Sequence, residues 1–246
     1  MTLTNQLVAS GQWLFRRRSY LPWTTVVVVL LGLRDAWAID RAETATLTWE
    51  VLCLALSLCG LVLRSCIVGT TPIGTSGRNV REQVAFSLNT TGFYSIVRHP
   101  LYLANLLIVF GLVLYSQSVW AMTITLLSFW LFYERIMLAE ESFLARKFGE
   151  HFEHWASVVP AFIPALANWQ RPSLAFSWRA VLKREYNGFA AILILFVLMD
   201  FAGSWWVHQE IVLSGARQGM LAVALFVWLT LRSLRKYTRW LHVEGR

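Results

Sequence analysis

Charge is scarce in this chain. Asp, Glu, Lys and Arg make up only 15% of its 246 residues, whereas a soluble domain carries about a quarter. Cysteine is scarcer still: Cys53, Cys59 and Cys66 stand in or beside one apolar run, with no CxxC pair. That excludes a disulfide framework and a thiolate metal site, and the expectation is buried, reduced thiols acting as small apolar residues. GxSxG, GxxxxGK[ST] and GxGxxG are all missing, so hydrolase, nucleotide-phosphate and Rossmann readings have no foothold. There is no internal repeat and no low-complexity linker, which leaves residues 1–246 as a single domain.

Apolar residues fill the space that charge leaves: 57% of the chain is hydrophobic and thirteen residues are tryptophan. A bilayer crossing needs about 20 apolar residues, and such runs fall at about 21–38, 47–68, 101–118, 119–138, 188–207 and 211–231. The expected fold class is therefore all-α, a polytopic helical membrane protein of about six transmembrane helices. The formal net charge of +8 does not point to nucleic acid, because the basic residues lie between the apolar runs and form no single patch. They alternate by side. Arg16–Arg18 precede the first run, Arg64, Arg78, Arg81 and Arg98 lie around the second loop, and Arg146 to Arg184 follow the fourth run. Arg232, Arg235, Lys236 and Arg239 follow the sixth. The positive-inside rule then places both termini in the cytoplasm. Arg16–Arg18, VVVVLLGL and Ala36-Trp37-Ala38 imitate a cleavable leader, but Arg34 and Asp35 interrupt the approach to its cut site, so an uncleaved first span is expected.

Two long polar intervals, 69–98 and 139–187, share the cytoplasmic side. Within the first, Val80, Val84 and Leu88 have helical spacing, which predicts a short interfacial helix over 80–88. The third and fourth spans are separated by a few residues near 115–119, so they form a tight antiparallel hairpin. Its ends bring GFYSIVRHPLYLAN (92–105) to the same depth as the Glu140-Glu141 pair. Beyond that pair, Glu141, Leu144, Phe148, Phe152 and Trp155 share one helical stripe, and Glu140, Lys147, His151 and His154 share another, polar one. Gly149 weakens this helix, and Pro160 and Pro164 end it.

Each residue admits a plain reading. Arg98 can be a snorkelling anchor, Pro100 the first residue of a helix with His99 near its N-cap, Glu140 a solvated face residue, and HxxH at 151–154 a charged amphipathic face rather than a metal site. Glu141 is harder to dismiss, since a carboxylate on an apolar stripe at a membrane boundary needs a cation or hydrogen-bond donors. Arg78, Asn79 and Arg81 either serve the positive-inside bias or grip an anionic lipid head group.

Together, GFYSIVRHPLYLAN and EESFLARKFGEHFEHWASVVPAFIP resemble the membrane methyltransferases typified by isoprenylcysteine carboxyl methyltransferase and the phospholipid N-methyltransferases. The likeness covers about residues 88–164, and two further spans, about 188–231, lie outside it. It implies S-adenosylmethionine as methyl donor, held at the cytoplasmic ends of the hairpin. It further implies cofactor-binding roles for Tyr94, His99, Pro100, Tyr102, Glu140 and Glu141, and catalytic roles for Arg98, His99 and Glu141. Phe148, Gly149, Phe152, Trp155 and Pro160 complete the second motif. Arg78, Asn79 and Arg81 are the substrate-side candidates, for a membrane lipid or lipidated acceptor with an anionic phosphate or carboxylate head group. Asn105 stands where the family usually has Gly, and Phe152 and Trp155 where Tyr is common, which removes two hydroxyls. Membrane sterol reductases carry a similar RHPxY and VPxxxP, so an NADPH-dependent reductase is the rival enzyme class, and a transporter or assembly protein the non-enzymatic one.

Overall fold

The computed structural model describes residues 2–36, 43–72, 83–209, 214–243 and 245. Among them, eight α-helices and a few short 3₁₀ turns account for the regular structure: α1 (Leu3–Arg17), α2 (Leu21–Ala36), α3 (Glu43–Thr70), α4 (Pro100–Tyr115), α5 (Val119–Phe148), α6 (Glu150–Val158), α7 (Trp178–His208) and α8 (Gly215–Tyr237). The all-α class is as expected, and each expected span is a helix. Three helices are long and apolar enough to cross a membrane: Leu47–Thr70, Val119–Phe148 and Trp178–Trp206. The other three positions fall short of the expected six spans. The 16 residues of α4 rise only about 24 Å at 1.5 Å each, the apolar stretch of α2 runs from Trp23 to Arg34, and α8 carries Arg217, Arg232, Arg235 and Lys236.

Helices α3 and α4 form the tightest pair, and α7 packs on α3 and α8. Their shared core joins Val29 and Leu33 of α2, Leu61 of α3, Val113 of α4 and Phe196 of α7. Large side chains such as Val62, Leu131, Leu198 and Phe226 are exposed around it, as suits helices whose outer solvent is lipid. Small residues set the α3–α4 distance. A Cβ on Gly111 would stand 2.6 Å from the Cys53 carbonyl oxygen and 2.8 Å from the Ser57 nitrogen, and one on Gly60 would stand 2.8 Å from the Ala104 oxygen. The close approach lets the Ser57 hydroxyl donate to the Ile108 carbonyl at 3.0 Å, a small-residue contact of the kind that holds helices together without a hydrophobic driving force. Gly111→Ala must push backbone apart, so it is expected to cost about 2–3 kcal/mol, read as earlier thermal unfolding in detergent, with Ala104→Gly as a milder control.

Several expectations need correction. The segment 83–88 is not helical, although Val84 and Leu88 do face the central cavity; residues 80–82 lie outside the described residues, as do Arg78, Asn79 and Arg81. Of the three thiols only Cys53 is buried, whereas Cys59 is exposed on the outer face of α3 and Cys66 is intermediate. Helix α1 had not been expected. It packs on α5 through Gly11 and Phe15.

Candidate functional site

The turn Ser116–Ser118 reverses the chain between α4 and α5, which carries the ends of those helices to the same level, as the hairpin reading expects. At that level His99 caps α4 and Pro100 is its first residue. The RHP edge is held in place by the chain that follows α6. Arg98 N–H donates to the Pro160 carbonyl at 2.9 Å, His99 N–H to Ala161 at 3.3 Å, and Ala165 N–H returns to Ile96 at 2.9 Å. The VPAFIP stretch is thus a backbone strap over the first motif, which explains why proline, lacking a donor, fits there.

Five side chains converge across the hairpin. Glu141 receives Arg98 Nη1 on one oxygen at 3.1 Å and meets His99 Nε2 on the other at 2.9 Å. Glu140 accepts from the Tyr102 hydroxyl at 2.7 Å, and its second oxygen stands 3.5 Å from His99 Nδ1. His99 is therefore flanked by a carboxylate at each ring nitrogen and is 7% exposed. Burial works against its charged form, but the hydrogen bonds and charges of Glu140 and Glu141 outweigh it and raise its pKa above the ordinary histidine value. Tyr94, half-buried beside them, is pushed upward by burial and then by Glu140, so it stays a neutral phenol.

Glu140 is the correction among these residues. Its polar stripe holds for Lys147, His151 and His154, which are exposed on either side of the break that Gly149 makes between α5 and α6 at φ 53°. Glu140, in the unbroken part of α5, instead meets the Tyr102 hydroxyl of α4 within the cluster. Among the described residues, no group of three or more His, Cys, Asp or Glu is placed to hold a metal. The apolar stripe behaves differently, because α6 packs back. Phe152, Trp155 and Val159 are buried with Leu144, Phe148, Leu88 and Tyr94 against them. Trp155 Nε1 donates to the Tyr94 carbonyl at 3.1 Å, so this residue keeps a polar anchor although it lacks the tyrosine hydroxyl.

The cluster forms one end of a cavity of about 750 Å³. Tyr94, Arg98, His99, Tyr102, Glu140 and Glu141 line that end, with Phe152 and Trp155. Farther in, the walls become apolar: Val29 from α2, Leu112 from α4, and Ile192, Leu195 and Met199 from α7. Pro100 and Leu112 both line it, and the helical rise separates them by about 18 Å. The cavity is long enough for a chain, and α7 supplies much of its far wall. Between the two ends sit Arg64 and Asn105. Neither was identified as a site residue from the sequence; Arg64 had been read as a topological charge.

A polar pocket with paired acids, opening into an apolar channel between long apolar helices, defines a helical membrane protein with an amphipathic cavity. Comparison with known proteins points the same way: residues 50–151 match the family described as phospholipid methyltransferase. The nickel-cobalt-cadmium resistance protein NccN of Alcaligenes xylosoxydans xylosoxydans is 33% identical over 149 residues, 59% of this chain and 64% of that protein. The cobalt-zinc-cadmium resistance protein CzcN of Cupriavidus metallidurans is 41% identical over 81 residues, 33% of this chain and 37% of its own length. The chain thus spans less than two thirds of either relative. Protein-S-isoprenylcysteine O-methyltransferase B of Arabidopsis thaliana is 28% identical over 174 residues, 67% of this chain and 79% of that enzyme. No solved structure matches.

Proposed function

We propose that this protein transfers a methyl group from S-adenosylmethionine to an acceptor carrying an apolar chain, at the cytoplasmic face of a bacterial inner membrane with both termini cytoplasmic. The observation that carries the reading is the Glu140–Glu141 pair, held opposite Arg98 and His99 at the polar mouth of a cavity whose remaining length is apolar. The match of residues 50–151 to the phospholipid methyltransferase family supports it.

The residues present suit the donor. Two carboxylates within one pocket favour a ligand bearing positive charge, and the enclosed aromatic faces of Tyr94, Tyr102 and Trp155 suit a sulfonium. Arg98 Nε is buried without a partner, a free donor for a carboxylate or hydroxyl. When bound, S-adenosylmethionine supplies an electrophilic methyl group. Glu141 and Glu140 would hold its cationic part, with His99 giving up its proton as their charge is shared, and Arg98 would orient an oxygen. The strap over RHP and the packed α6 keep water from the mouth, so positioning and a partly dry site provide most of the acceleration. An oxyanion acceptor needs orientation but no strong base. NADPH fits poorly, because its phosphates would meet both carboxylates.

Calorimetry on detergent-purified protein with S-adenosylmethionine and with NADPH tests this. The expected result is binding of the former alone, with proton release that reports His99. His99 is raised in the free protein, so its proton is present at neutral pH and must leave when a cation takes its place beside the acids; affinity therefore rises with pH until His99 is neutral beforehand. Binding of NADPH alone would transfer the protein to the reductase class.

A further inference from the structure

Arg64 is an unusual residue to find partway along a cavity that turns apolar. It lies on α3, 15 residues after Trp49, whose indole anchors the opposite end of the bundle to the Leu114 carbonyl. Its Nε donates to Glu185 Oε2 on α7 at 2.7 Å, and its Nη1 donates to Asn105 Oδ1 on α4 at 2.7 Å. The Asn105 amide in turn reaches the Tyr133 hydroxyl of α5 at 3.4 Å. Three helices thus contribute one residue each to a network that fixes a guanidinium carried by a fourth. Two of its nitrogens are committed and the third, Nη2, has no hydrogen-bond partner among the described residues. The side chain is 26% exposed, and Arg64 lines the cavity. Glu185 is buried, with Oε1 lacking any partner.

We propose that Arg64, braced by Glu185 and Asn105, is the group that binds the acceptor's head group through an oxyanion, with the acceptor's chain lying in the apolar channel between α2, α4 and α7. The inference rests on the methyl-transfer reading for the meaning of "acceptor", but the binding event stands on its own geometry. The position is right. Tyr133 is seven residues from Glu140, about 10 Å deeper along α5, so a head group held at Arg64 lies between the acidic mouth and the apolar end. The chemistry is right as well: a guanidinium fixed through two nitrogens presents the third with little entropy left to lose, and charge-assisted bonds to an oxyanion are the strong kind. The cluster also sets a limit. Glu185 neutralises Arg64 in the free protein, so a head group with two negative charges would place one beside a buried carboxylate. A monoanion, either a phosphodiester or a carboxylate, is selected. Asn105 is part of the specificity, since the glycine usual at that place in the family offers no side chain to orient Arg64.

The test uses the full chain in non-ionic detergent with four amphiphiles: dioctanoyl phosphatidylglycerol for the phosphodiester, palmitate for the carboxylate, and hexadecanol and hexadecyltrimethylammonium as chain-bearing controls. At least one oxyanion is expected to bind more tightly than both controls, and which one does distinguishes the two head-group chemistries. Arg64→Gln should weaken that binding at least tenfold and leave S-adenosylmethionine affinity within about twofold, with Arg64→Lys intermediate. Because a lone Glu185 can unfold the protein, Arg64→Gln/Glu185→Gln is measured as well, removing the pair together; it should fold and still fail to bind the oxyanion. The proposal is overturned if the controls bind as well as the oxyanions, or if the folded double variant binds oxyanions like wild type. Loss of S-adenosylmethionine binding in the wild-type protein, with Arg64-dependent oxyanion binding intact, would instead overturn the methyl-transfer reading alone.

Discussion

Glu141→Gln is expected to weaken S-adenosylmethionine binding about 30- to 300-fold, roughly 2–3.5 kcal/mol, the scale of a charge-assisted hydrogen bond lost together with a nearby opposite charge. Glu141 is the only carboxylate here that serves both Arg98 and His99. Removing its charge does two things. It takes away an attraction for the cationic ligand, and it leaves Arg98 without its ion-pair partner at 18% side-chain exposure, a repulsive neighbour for that same ligand. Glu140→Gln should cost less, about 5- to 20-fold, because the amide oxygen can still accept from Tyr102 and Glu141 remains. The proton count separates an electrostatic loss from a structural one. His99 is held protonated by both acids, so neutralising Glu141 lowers its pKa toward the ordinary value, and the proton release seen with wild type should shrink in Glu141→Gln while the melting temperature changes little. A variant that lost binding with proton release unchanged would place the donor elsewhere.

The sequence reveals this much of the site because its residues fall on a hairpin. Forty-two residues separate His99 from Glu141, yet two apolar runs joined by a short turn must return to one level, and hydropathy alone shows that. The same reasoning cannot reach Glu185, which is 121 residues from Arg64 and on a helix whose placement against α3 no local pattern encodes. It also leaves Glu140 a plain reading as a solvated face residue, since spacing along α5 does not reveal the Tyr102 hydroxyl that α4 sets against it. Hydropathy finds helices α3, α4 and α8 to within about six residues and misses about the last ten residues of α5 and the first ten of α7, which are more polar. It also overstates how many can span, because an apolar run such as 101–118 says nothing of where the hydrogen-bonded ladder stops, and α4 stops at Tyr115. Helix α1 escapes for the opposite reason: it buries only a narrow stripe on α5 and has no span-length apolar run.

At the other end of the bundle, Arg217→Gln is expected to destabilise the protein by about 3–5 kcal/mol, the usual cost of removing one partner from a buried ionic cluster. Arg217 of α8 pairs with Glu50 of α3 and, through Nε at 3.1 Å, with Asp200 of α7. The Tyr115 hydroxyl, where α4 ends, lies 3.3 Å from Glu50 and 3.4 Å from Asp200. All three charged side chains are less than a fifth exposed. Without the guanidinium, two carboxylates face one phenol in a poorly solvated place. Glu50→Gln should cost less than Arg217→Gln, because Arg217 keeps Asp200. The double variant Glu50→Gln/Arg217→Gln should recover part of the loss, since only one carboxylate is then left for Tyr115, and that non-additivity is the signature of a shared cluster. Thermal unfolding in detergent measures it, with a fall of about 10 °C for the single arginine variant. The consequence for function follows from α7, which carries Asp200 beside Met199 on the channel wall. Loosening α7 and α8 should raise the acceptor's KM with little change in S-adenosylmethionine affinity, because the donor's acids sit on α5, outside the clamp. Equal loss of both would mean that the two ends of the cavity form one cooperative unit, and that the last two helices hold up the acidic mouth as well as the channel.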